Sequence, residues 1–248
     1  MSKVVYISVV RDFAMYEKCV RGNPYLAGGE CVPIDNRTAN EHVSTGYNRF
    51  LAERPSDEDA WYVFCHEDFQ PLEPLEPILA SCDQETLWGP IGAVTRVRMG
   101  IYHQWRILGE VEECRKDGSN VRRVGEAVPQ GTPVETFDCQ CVIVHASLVR
   151  RLGLRFDEAL SFDLYVEEFC MAAHEKGNVV SRILPFKCRH WSGGNVQPRY
   201  YEQEAHVNAK YPNACYTGTS SWILGGNPPL FRRLTVAAKR LVSKSWRI

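Results

Sequence analysis

The sequence lacks the features that would place it in a membrane or in an oxidising compartment. Its longest apolar runs are far shorter than a membrane-spanning helix requires. Its first residues enter a predicted strand without the layout of a signal peptide. We therefore expect its ten cysteines to be the reduced thiols of a cytoplasmic protein, and no two of them form a CxxC pair. A zinc site built from Cys65, Cys188 and His190 is the remaining cysteine-based alternative.

Acidic residues are absent from the end of the chain. No Asp or Glu follows Glu204, whereas seven of the 29 basic residues do, which leaves 22 basic and 30 acidic residues and a charge of −8 in residues 1–204. An acidic body of this kind argues against nucleic acid as a partner. We therefore expect a domain over residues 1–220 and a basic tail over residues 221–248.

The tail has the pattern of an amphipathic helix. After Pro229, apolar residues recur on one face and Arg or Lys residues on another. Such a helix is typical of proteins that lie on an anionic membrane surface, which would place this protein at the inner face of the membrane. The alternative is a terminal helix that docks on the acidic body.

The rest of the chain has the composition of an ordinary globular domain, with 44% apolar and 24% charged residues. In its first half, strands are predicted at residues 3–10, 30–34, 61–65 and 86–94, and helices at residues 13–21, 39–54 and 74–81. In its second half, strands are predicted at residues 136–145 and 178–185, and helices at residues 146–151, 163–176 and 198–210. This alternation predicts an α/β fold with a mostly parallel central sheet flanked by helices.

One long segment breaks this pattern. Residues 96–133 are polar, rich in glycine and without clear periodicity, which is typical of a binding loop or lid. Tyr102, His103 and Trp105 are its candidate ligand contacts, and we expect the segment to be mobile in the free protein.

A predicted buried strand ends in three residues with useful chemistry. The apolar run at residues 61–65 stops abruptly at His66, Glu67 and Asp68. Ligands bind at the carboxyl ends of strands in open α/β sheets, and carboxylate and imidazole groups there suit a divalent cation such as Mn²⁺ or Mg²⁺, which in turn can hold a diphosphate. His66 and Asp68 point to one side of an extended segment and Glu67 to the other, so the first two form the better cation site. The alternative is a strand that ends in charged residues only because the chain leaves the core.

Polar motifs recur at the ends of predicted strands and helices. In chain order they are Pro33-Ile34-Asp35-Asn36 with Gly46-Tyr47-Asn48, Phe64-Cys65-His66-Glu67-Asp68, Phe156-Asp157-Glu158 with Phe162-Asp163-Leu164-Tyr165 and Glu167-Glu168-Phe169-Cys170, and Arg189-His190-Trp191-Ser192-Gly193-Gly194. Over residues 3–212 their order resembles that of glycosyltransferases of the GT-A fold, specifically the family-2-like group related to the streptomycin-biosynthesis glycosyltransferase domain. In this comparison the second motif looks like the group's His-x-Asp version of the metal-binding Asp-x-Asp motif.

The resemblance implies a metal-assisted enzyme that uses Mn²⁺ or Mg²⁺. Such an enzyme transfers a sugar from a nucleotide-sugar donor to a hydroxyl group of a saccharide or lipid-linked saccharide, with inversion at the anomeric carbon, as in polysaccharide or glycoconjugate biosynthesis. The residues that the resemblance assigns to the nucleotide are Asp35, Asn36, Asn48 and His66. Those that it assigns to the cation are Asp68, His66, Glu67 and His190. The residue that it assigns to base catalysis is Glu168, with Glu167 and Asp163 as the other candidates.

These assignments have alternatives. Asp35 and Asn36 can simply turn the chain, the adjacent Glu167 and Glu168 can form an exposed helix face, and Asp163 can cap a helix. Because the first Asp of the Asp-x-Asp motif is missing, a non-catalytic nucleotide- or sugar-binding module is a second function that fits the sequence. A metal-dependent nucleotidyltransferase or hydrolase is a third, since the same chemistry of cation and diphosphate serves those reactions.

Overall fold

The structure is a computed structural model that describes residues 2–98, 102–192, 197–230, 232–234 and 237. Its strands are β1 (Lys3–Val10), β2 (Glu30–Asp35), β3 (Ala60–Cys65), β4 (Phe69–Pro71), β5 (Leu87–Gly89), β6 (Ile91–Arg98), β7 (Tyr102–Gly109), β8 (Val111–Glu113), β9 (Arg122–Val124), β10 (Pro133–Val134), β11 (Thr136–Phe137), β12 (Cys141–His145), β13 (Ser181–Ile183) and β14 (Cys188–His190). Its helices are α1 (Phe13–Tyr16), α2 (Val43–Glu53), α3 (Glu76–Leu79), α4 (Ala146–Leu152), α5 (Tyr165–Gly177) and α6 (Pro198–Lys210). A π-helical turn over Glu17–Arg21 continues α1, and a 3₁₀ turn at Pro24–Leu26 follows it.

A seven-stranded sheet forms the centre of the domain, in the order β10-β13-β5-β12-β3-β1-β2. β1 pairs in parallel with β2 and β3, and β13 pairs in parallel with β5. β12 runs antiparallel between β3 and β5, so β5 points the same way as β3, while β10 is antiparallel to β13. All strands of this sheet except β10 and β12 therefore share one direction. The prediction of an α/β fold with a mostly parallel central sheet is confirmed.

Both faces of this sheet are buried, which explains why its strands read as continuous apolar runs. In β1, Val5 and Ile7 belong to one core, in which residues of α2 and α5 cover the sheet. Val4 and Tyr6 alternate with them and belong to the opposite core, together with residues of α1 and α3. Helices therefore flank the sheet on both sides and leave the carboxyl ends of β1, β2 and β3 open to a ligand.

Two helices begin later than the sequence pattern predicts. α2 starts at Val43, because Asn36 accepts a hydrogen bond from the backbone N–H of Glu41 and donates one to its carbonyl, which holds residues 36–41 in a turn. α5 starts after Leu164, which has a left-handed φ of 61° and is the residue at the cap position. The suggestion that Asp163 caps this helix was therefore wrong.

Residues 96–133 contain regular strands, so the prediction of an irregular segment was also wrong. β6 and β7 form an antiparallel hairpin in which Ile91 lies opposite Gly109 and Thr95 opposite Trp105. β8 and β9 form a second hairpin that joins β14 and β4 in a four-stranded sheet. Polar and charged residues on these strands obscure the alternation of apolar and polar side chains. β6 pairs with β11, and β8 with β14, which lie far away in the sequence, so a local pattern does not show these pairings.

The aromatic residues of the β6–β7 hairpin contact the C-terminal part of the chain. Trp105 Nε1 donates a hydrogen bond of 3.1 Å to the carbonyl of Gly218, and its ring stacks on Trp222 with 6.4 Å between the ring centroids. Neither Trp105 nor His103 lines the cavity described below. The side chain of Tyr102 lies outside the described part of the chain.

The described part of the predicted tail packs on the body of the domain. Trp222 bonds to β6, Arg232 donates a hydrogen bond of 3.3 Å to Thr217 Oγ1, and both side chains are buried. Most of the predicted amphipathic helix, residues 238–248, lies outside the described residues, so it stays a prediction. None of the helices that the structure describes is long and apolar enough to span a membrane.

Candidate active site

A cavity of about 650 Å³ opens at the carboxyl ends of β1, β2 and β3. The polar residues that follow these three strands and line the cavity are Arg11, Asn36, His66, Glu67 and Asp68. Later parts of the chain contribute Asp138, Asp163, Glu167, His190 and Arg199. This is the place at which ligands bind in open α/β sheets.

Three side chains in this cavity could together hold a metal ion and form the candidate cation site. One possible ligand atom from each of His66, Asp68 and His190 lies within 4.8 Å of the others. His190 Nε2 is 3.3 Å, and His66 Nδ1 is 3.9 Å, from the same atom, Asp68 Oδ1. Within the described ranges this is the one group of three or more His, Cys, Asp or Glu residues that meets this criterion. A zinc site of Cys65, Cys188 and His190 is therefore not formed.

Strand pairing brings His190 to Asp68 from a distant part of the sequence. β4 begins directly after Asp68 and pairs with β14, so that His190 lies opposite Phe69. The next residue, Trp191, donates its backbone N–H to the carbonyl oxygen of Asp68 at 2.9 Å. Backbone hydrogen bonds between the two strands and next to Asp68 thus hold Asp68 and His190 beside each other.

The charges of the three side chains depend on one another. Burial lowers the pKa of His66, which favours the neutral imidazole that binds metals. Burial acts in the same sense on His190, but the hydrogen-bonding and charge of Asp68 outweigh it and raise the pKa of His190. For Asp68, burial opposes ionisation, and His190 nevertheless holds the pKa of the carboxyl below its usual value. Without a cation, Asp68 and His190 therefore stabilise each other's charged forms.

Three buried nitrogen atoms of this group, His66 Nε2 and both ring nitrogens of His190, have no well-formed hydrogen bond to the described residues. A buried polar atom without a partner costs free energy unless a ligand or ion satisfies it. Two imidazoles and a carboxylate are a common donor set for divalent ions of the first transition series. The residues of this site therefore fit the divalent cation that the sequence predicts.

Glu67 lies apart from this group. Its Oε2 accepts hydrogen bonds from the backbone N–H groups of Arg11 and Asp12, at 2.5 and 3.0 Å. These N–H groups belong to the turn between β1 and α1, so Glu67 ties the end of β3 to that turn. The alternation of side chains along an extended segment explains why His66 and Asp68 share one direction and Glu67 takes the other.

Glu167 is the buried carboxyl group that α5 contributes to the cavity. Its Oε2 accepts a hydrogen bond of 3.0 Å from the thiol of Cys139. Burial, reinforced by the negative charges of Asp138 and Asp163, raises the pKa of Glu167 to about 8. A carboxyl group with a raised pKa in a cleft is a candidate for proton transfer.

Asp163 lines the same cavity but is engaged by a cation. Arg199 Nε donates a hydrogen bond of 2.7 Å to Asp163 Oδ2, and the guanidinium group stands 5.0 Å from the ring centroid of Phe162. Phe162 in turn stacks on His66, with 5.3 Å between the ring centroids. Among the described residues, Glu167 has no such basic partner. It is therefore better placed than Asp163 to accept a proton.

Glu168, the base that the resemblance favours, lies on another side of α5. It lines a second cavity between α2, α5 and the end of α6 and does not line the first. Its Oε1 accepts a hydrogen bond of 2.5 Å from the hydroxyl of Tyr211 and pairs with Lys210 Nζ at 2.8 Å. Glu168 thus fastens the end of α6 to α5. The structure brings Glu167 and Asp163, but not Glu168, into the cavity of the cation site.

The other residues assigned to the nucleotide lie in different places. Asn36 lines the cavity, although its amide is engaged in the turn before α2. Asp35 is exposed at the end of β2, where hydrogen bonds from Arg37 lower its pKa to about 2. Asn48 lines the second cavity and exchanges hydrogen bonds with the backbone of Phe156. Asp35 and Asn48 are therefore not brought to the cation site.

Asp138 is a residue of the cavity that the sequence analysis does not single out. Its Oδ2 accepts a hydrogen bond of 2.7 Å from Thr219 Oγ1, and its Oδ1 accepts one of 3.1 Å from the backbone N–H of Gln140. Its charge acts on Glu167 and on both histidines of the cation site. An Asp beside a predicted strand is a common turn residue, so its position alone gives little signal.

Comparisons with known proteins identify the fold. No protein-family model and no curated protein matches the chain. The crystal structure of S. aureus TarS 1–349 aligns with a TM-score of 0.50 and 11% identity, over 86% of this chain and 66% of that one. A longer structure of S. aureus TarS aligns with a TM-score of 0.51 and 13% identity, over 86% of this chain and 40% of that one. TarS 1–349 in complex with UDP-GlcNAc aligns with a TM-score of 0.47 and 13% identity, over 86% and 67% of the two chains.

The chain has the GT-A fold of the nucleotide-sugar glycosyltransferases, as the sequence predicts. At these identities the alignments show the fold alone. The chain spans less than two thirds of the first two TarS chains. The narrower resemblance to the streptomycin-biosynthesis group stays a prediction.

Proposed function

We propose that this protein is a metal-assisted glycosyltransferase that moves a sugar from a nucleotide-sugar donor to a hydroxyl group of an acceptor. One observation carries the proposal: a single cavity of a GT-A domain contains both the group of His66, Asp68 and His190 and the buried carboxyl of Glu167. A fold alone does not define a reaction, but a cation site and a base that share a cavity support one.

The cation site supports a donor that carries a diphosphate. His66, Asp68 and His190 would hold a divalent cation and leave coordination positions open for oxygen ligands. When bound, the cation neutralises the charge that develops on the departing diphosphate. Arg11 and Arg122 line the same cavity and offer guanidinium groups to the phosphate oxygens.

Glu167 is the proposed general base. Once deprotonated, it accepts the proton of the acceptor hydroxyl while that oxygen bonds to the anomeric carbon and the bond from that carbon to the diphosphate breaks. Attack from the side opposite the diphosphate inverts the anomeric configuration. The raised pKa of Glu167 makes its carboxylate a stronger base than an ordinary one. The thiol of Cys139 orients this carboxylate, and a cation in the cavity favours its deprotonated form.

The proposed acceptor is a saccharide, free or linked to a lipid. Phe162 lies at the edge of the cavity with 44% of its surface exposed. An exposed aromatic ring beside the base offers an apolar surface for the carbon face of a sugar ring. The acceptor would then place one hydroxyl group between Phe162 and Glu167.

Thermal shifts with a panel of nucleoside diphosphates, each with and without Mn²⁺, test this proposal. UDP is the natural first member, because TarS 1–349 has been solved with UDP-GlcNAc. A ligand that binds only the native state raises the melting temperature by mass action, so we expect one diphosphate to raise it strongly when Mn²⁺ is present and weakly without it. No shift with any diphosphate would refute the proposed donor site.

A further inference from the structure

A segment of the chain that follows α6, residues 217–222, covers the side chain of Glu167, and the β6–β7 hairpin holds this segment in place. We infer that Trp105, on β7, is a positioning residue that presses the 217–222 segment against Glu167 and so keeps this carboxyl group in place and shielded from water. The inference rests on the proposed role of Glu167 as the base, but it concerns a residue that does not line the cavity.

The 217–222 segment reaches Glu167 in two ways. A Cβ atom placed on Gly218 would be 3.5 Å from Glu167 Cγ, so the backbone of the segment lies directly against the side chain of the base. The next residue, Thr219, donates a hydrogen bond of 2.7 Å to Asp138 Oδ2. Asp138 precedes Cys139, whose thiol bonds to Glu167. A displacement of the segment would therefore be felt at the base both directly and through its hydrogen-bond donor.

The β6–β7 hairpin holds the segment at successive residues. Trp105 Nε1 donates a hydrogen bond of 3.1 Å to the carbonyl oxygen of Gly218. Thr95, which lies opposite Trp105 in the hairpin, has its hydroxyl 2.7 Å from Thr217 Oγ1 and accepts a hydrogen bond of 2.8 Å from Trp222 Nε1. The rings of Trp105 and Trp222 stack with 5° between their planes. Of these contacts, the hydrogen bond from Trp105 is the one made at Gly218.

The surroundings of Glu167 determine how strongly it holds its proton. The titratable residues that interact with its charge are Asp138 and Cys139 before β12, Asp163 before α5, Tyr165 and Cys170 on α5, and Tyr200 on α6. All six are neutral or negative, and burial acts in the same sense, so the pKa of Glu167 is raised. The 217–222 segment itself contains no titratable side chain. Its direct effect on Glu167 is therefore the exclusion of water.

Trp105→Phe separates the hydrogen bond from the stacking. The indole N–H is a donor only, and phenylalanine removes it while it keeps an aromatic ring against Trp222. The buried carbonyl of Gly218 then loses this partner, which weakens the attachment of the segment to the hairpin. Water that enters beside Gly218 opposes the effect of burial, so the pKa of Glu167 should fall.

A titration of the Glu167 carboxyl carbon by NMR, in the cation-free protein with a chelator present, tests the inference without sugar transfer. The signal is assigned by its loss in Glu167→Gln. We expect a pKa of about 8 in the parent protein and a value lower by about one pH unit or more in Trp105→Phe. Trp88→Phe is the matched control, because Trp88 Nε1 also donates to a backbone carbonyl, that of Asp83, away from the cavity. Equal pKa values of Glu167 in the parent and in Trp105→Phe would overturn the inference.

Steady-state kinetics with donor and acceptor distinguish positioning of the base from a general loss of structure. In Trp105→Phe we expect kcat to fall roughly tenfold, because the base is weaker and less well placed. KM for the donor should change by less than about twofold, since the cation site is left intact. The acid limb of kcat/KM against pH, which reports the pKa of the base in the free enzyme, should move to lower pH. A raised donor KM with kcat and the pH profile unchanged would contradict the inference.

Trp222→Phe serves if Trp105→Phe does not fold. It removes the hydrogen bond to Thr95 and loosens the same segment from its other end, so it should lower the pKa of Glu167 as well. An unchanged pKa of Glu167 in this variant would then count against the inference.

The inference and the proposed function can fail separately. A lower pKa of Glu167 in Trp105→Phe, in a protein whose Glu167→Gln variant keeps its turnover, would remove Glu167 as the base and leave the action of Trp105 on Glu167 standing. A large loss of turnover in Glu167→Gln, with the pKa of Glu167 and kcat unchanged in Trp105→Phe, would do the reverse.

Discussion

Glu167 and Glu168 are neighbours in α5, yet their carboxyl groups belong to different cavities. Successive residues of an α-helix point about 100° apart, so two adjacent side chains can serve two surfaces. Glu167 shares a cavity with the cation site, whereas Glu168 is fixed by Tyr211 and Lys210. This geometry supports the proposed chemical role for Glu167 and a structural role for Glu168.

The first prediction follows from this separation. Glu167→Gln removes the proposed base and should lower turnover roughly a hundredfold or more, the usual scale for general base catalysis. Donor affinity should change little, because the lost interaction is made mainly in the transition state. Steady-state kinetics with a saturating donor would show this. Near-normal turnover in Glu167→Gln would exclude Glu167 as the base.

Glu168→Gln is the matched control and carries a second prediction. It keeps the hydrogen-bonding shape of the side chain but removes the charge that pairs with Lys210, so unfolding should require about 1–3 kcal/mol less free energy. Turnover should stay close to that of the parent protein at a temperature where both are folded. Denaturant unfolding, paired with the same kinetic assay, measures both effects. A hundredfold loss of turnover in Glu168→Gln, with little change in Glu167→Gln, would reverse the assignment.

The third prediction concerns pH and the stability of the cation-free protein. The pKa of Glu167 rises from 4.5 to about 8 on folding, so between these values the folded protein holds a proton that the unfolded chain has released. Stability contributed by this group is therefore fully present below pH 4.5 and is lost as the pH rises toward 8, by about 1.4 kcal/mol per pH unit. Chemical denaturation of the parent and of Glu167→Gln with a chelator present would measure the difference. If the free energy of unfolding depends on pH in the same way in both proteins, Glu167 is not buried in its protonated form.

The fourth prediction concerns the cation site. Asp68→Asn should abolish the stabilisation by nucleoside diphosphate that depends on Mn²⁺, because it removes the one carboxylate of the site. Glu67→Gln should retain it, since an amide oxygen can still accept the N–H groups of Arg11 and Asp12. Thermal shifts of the two variants, side by side, give the answer. Mn²⁺ dependence in Asp68→Asn that equals that of the parent would remove Asp68 from the site.

Much of the sheet and one half of the site could be predicted from local sequence. β1 and β3 are buried on both faces and therefore appear as continuous apolar runs, and His66 and Asp68 follow β3 directly. The same apolar signal is missing from β7, in which the polar residues His103 and Gln104 and the charged Arg106 interrupt the apolar ones. Cross-strand pairing, which defines such strands, is not visible in a local window.

The other half of the site depends on contacts between distant residues. Asp138 reaches the cavity through the path of the chain before β12, and His190 reaches Asp68 through the pairing of β4 with β14. The helical pattern of α5 predicts that Glu167 and Glu168 point in different directions, so that one of them can face a ligand cavity. The pattern does not predict which of the two does so. The contacts of Glu168 with Lys210 and Tyr211, at the end of α6, place it away from the cavity.

The fifth prediction concerns the tail. A chain that ends at Ala237 keeps the buried Arg232 but loses four basic residues, Lys239, Arg240, Lys244 and Arg247. If the tail binds an anionic membrane surface, each lost residue weakens binding by about 1 kcal/mol. Co-sedimentation with anionic vesicles should then show binding that salt weakens and that this truncation abolishes, with neutral vesicles as the control. If the full-length and the truncated protein sediment equally with anionic vesicles, the tail does not bind the membrane surface.

The products formed from a nucleotide-sugar donor test the central claim most directly. The protein would be incubated with Mn²⁺ and a panel of nucleotide sugars, and the products identified by mass spectrometry with and without saccharide acceptors. Our account predicts a nucleoside diphosphate from one donor, formed faster with the right acceptor and lost in Asp68→Asn. Release of a nucleoside monophosphate and a sugar phosphate would instead indicate a nucleotidyltransferase or hydrolase. Tight binding of the donor without any product would contradict the account in favour of a binding module.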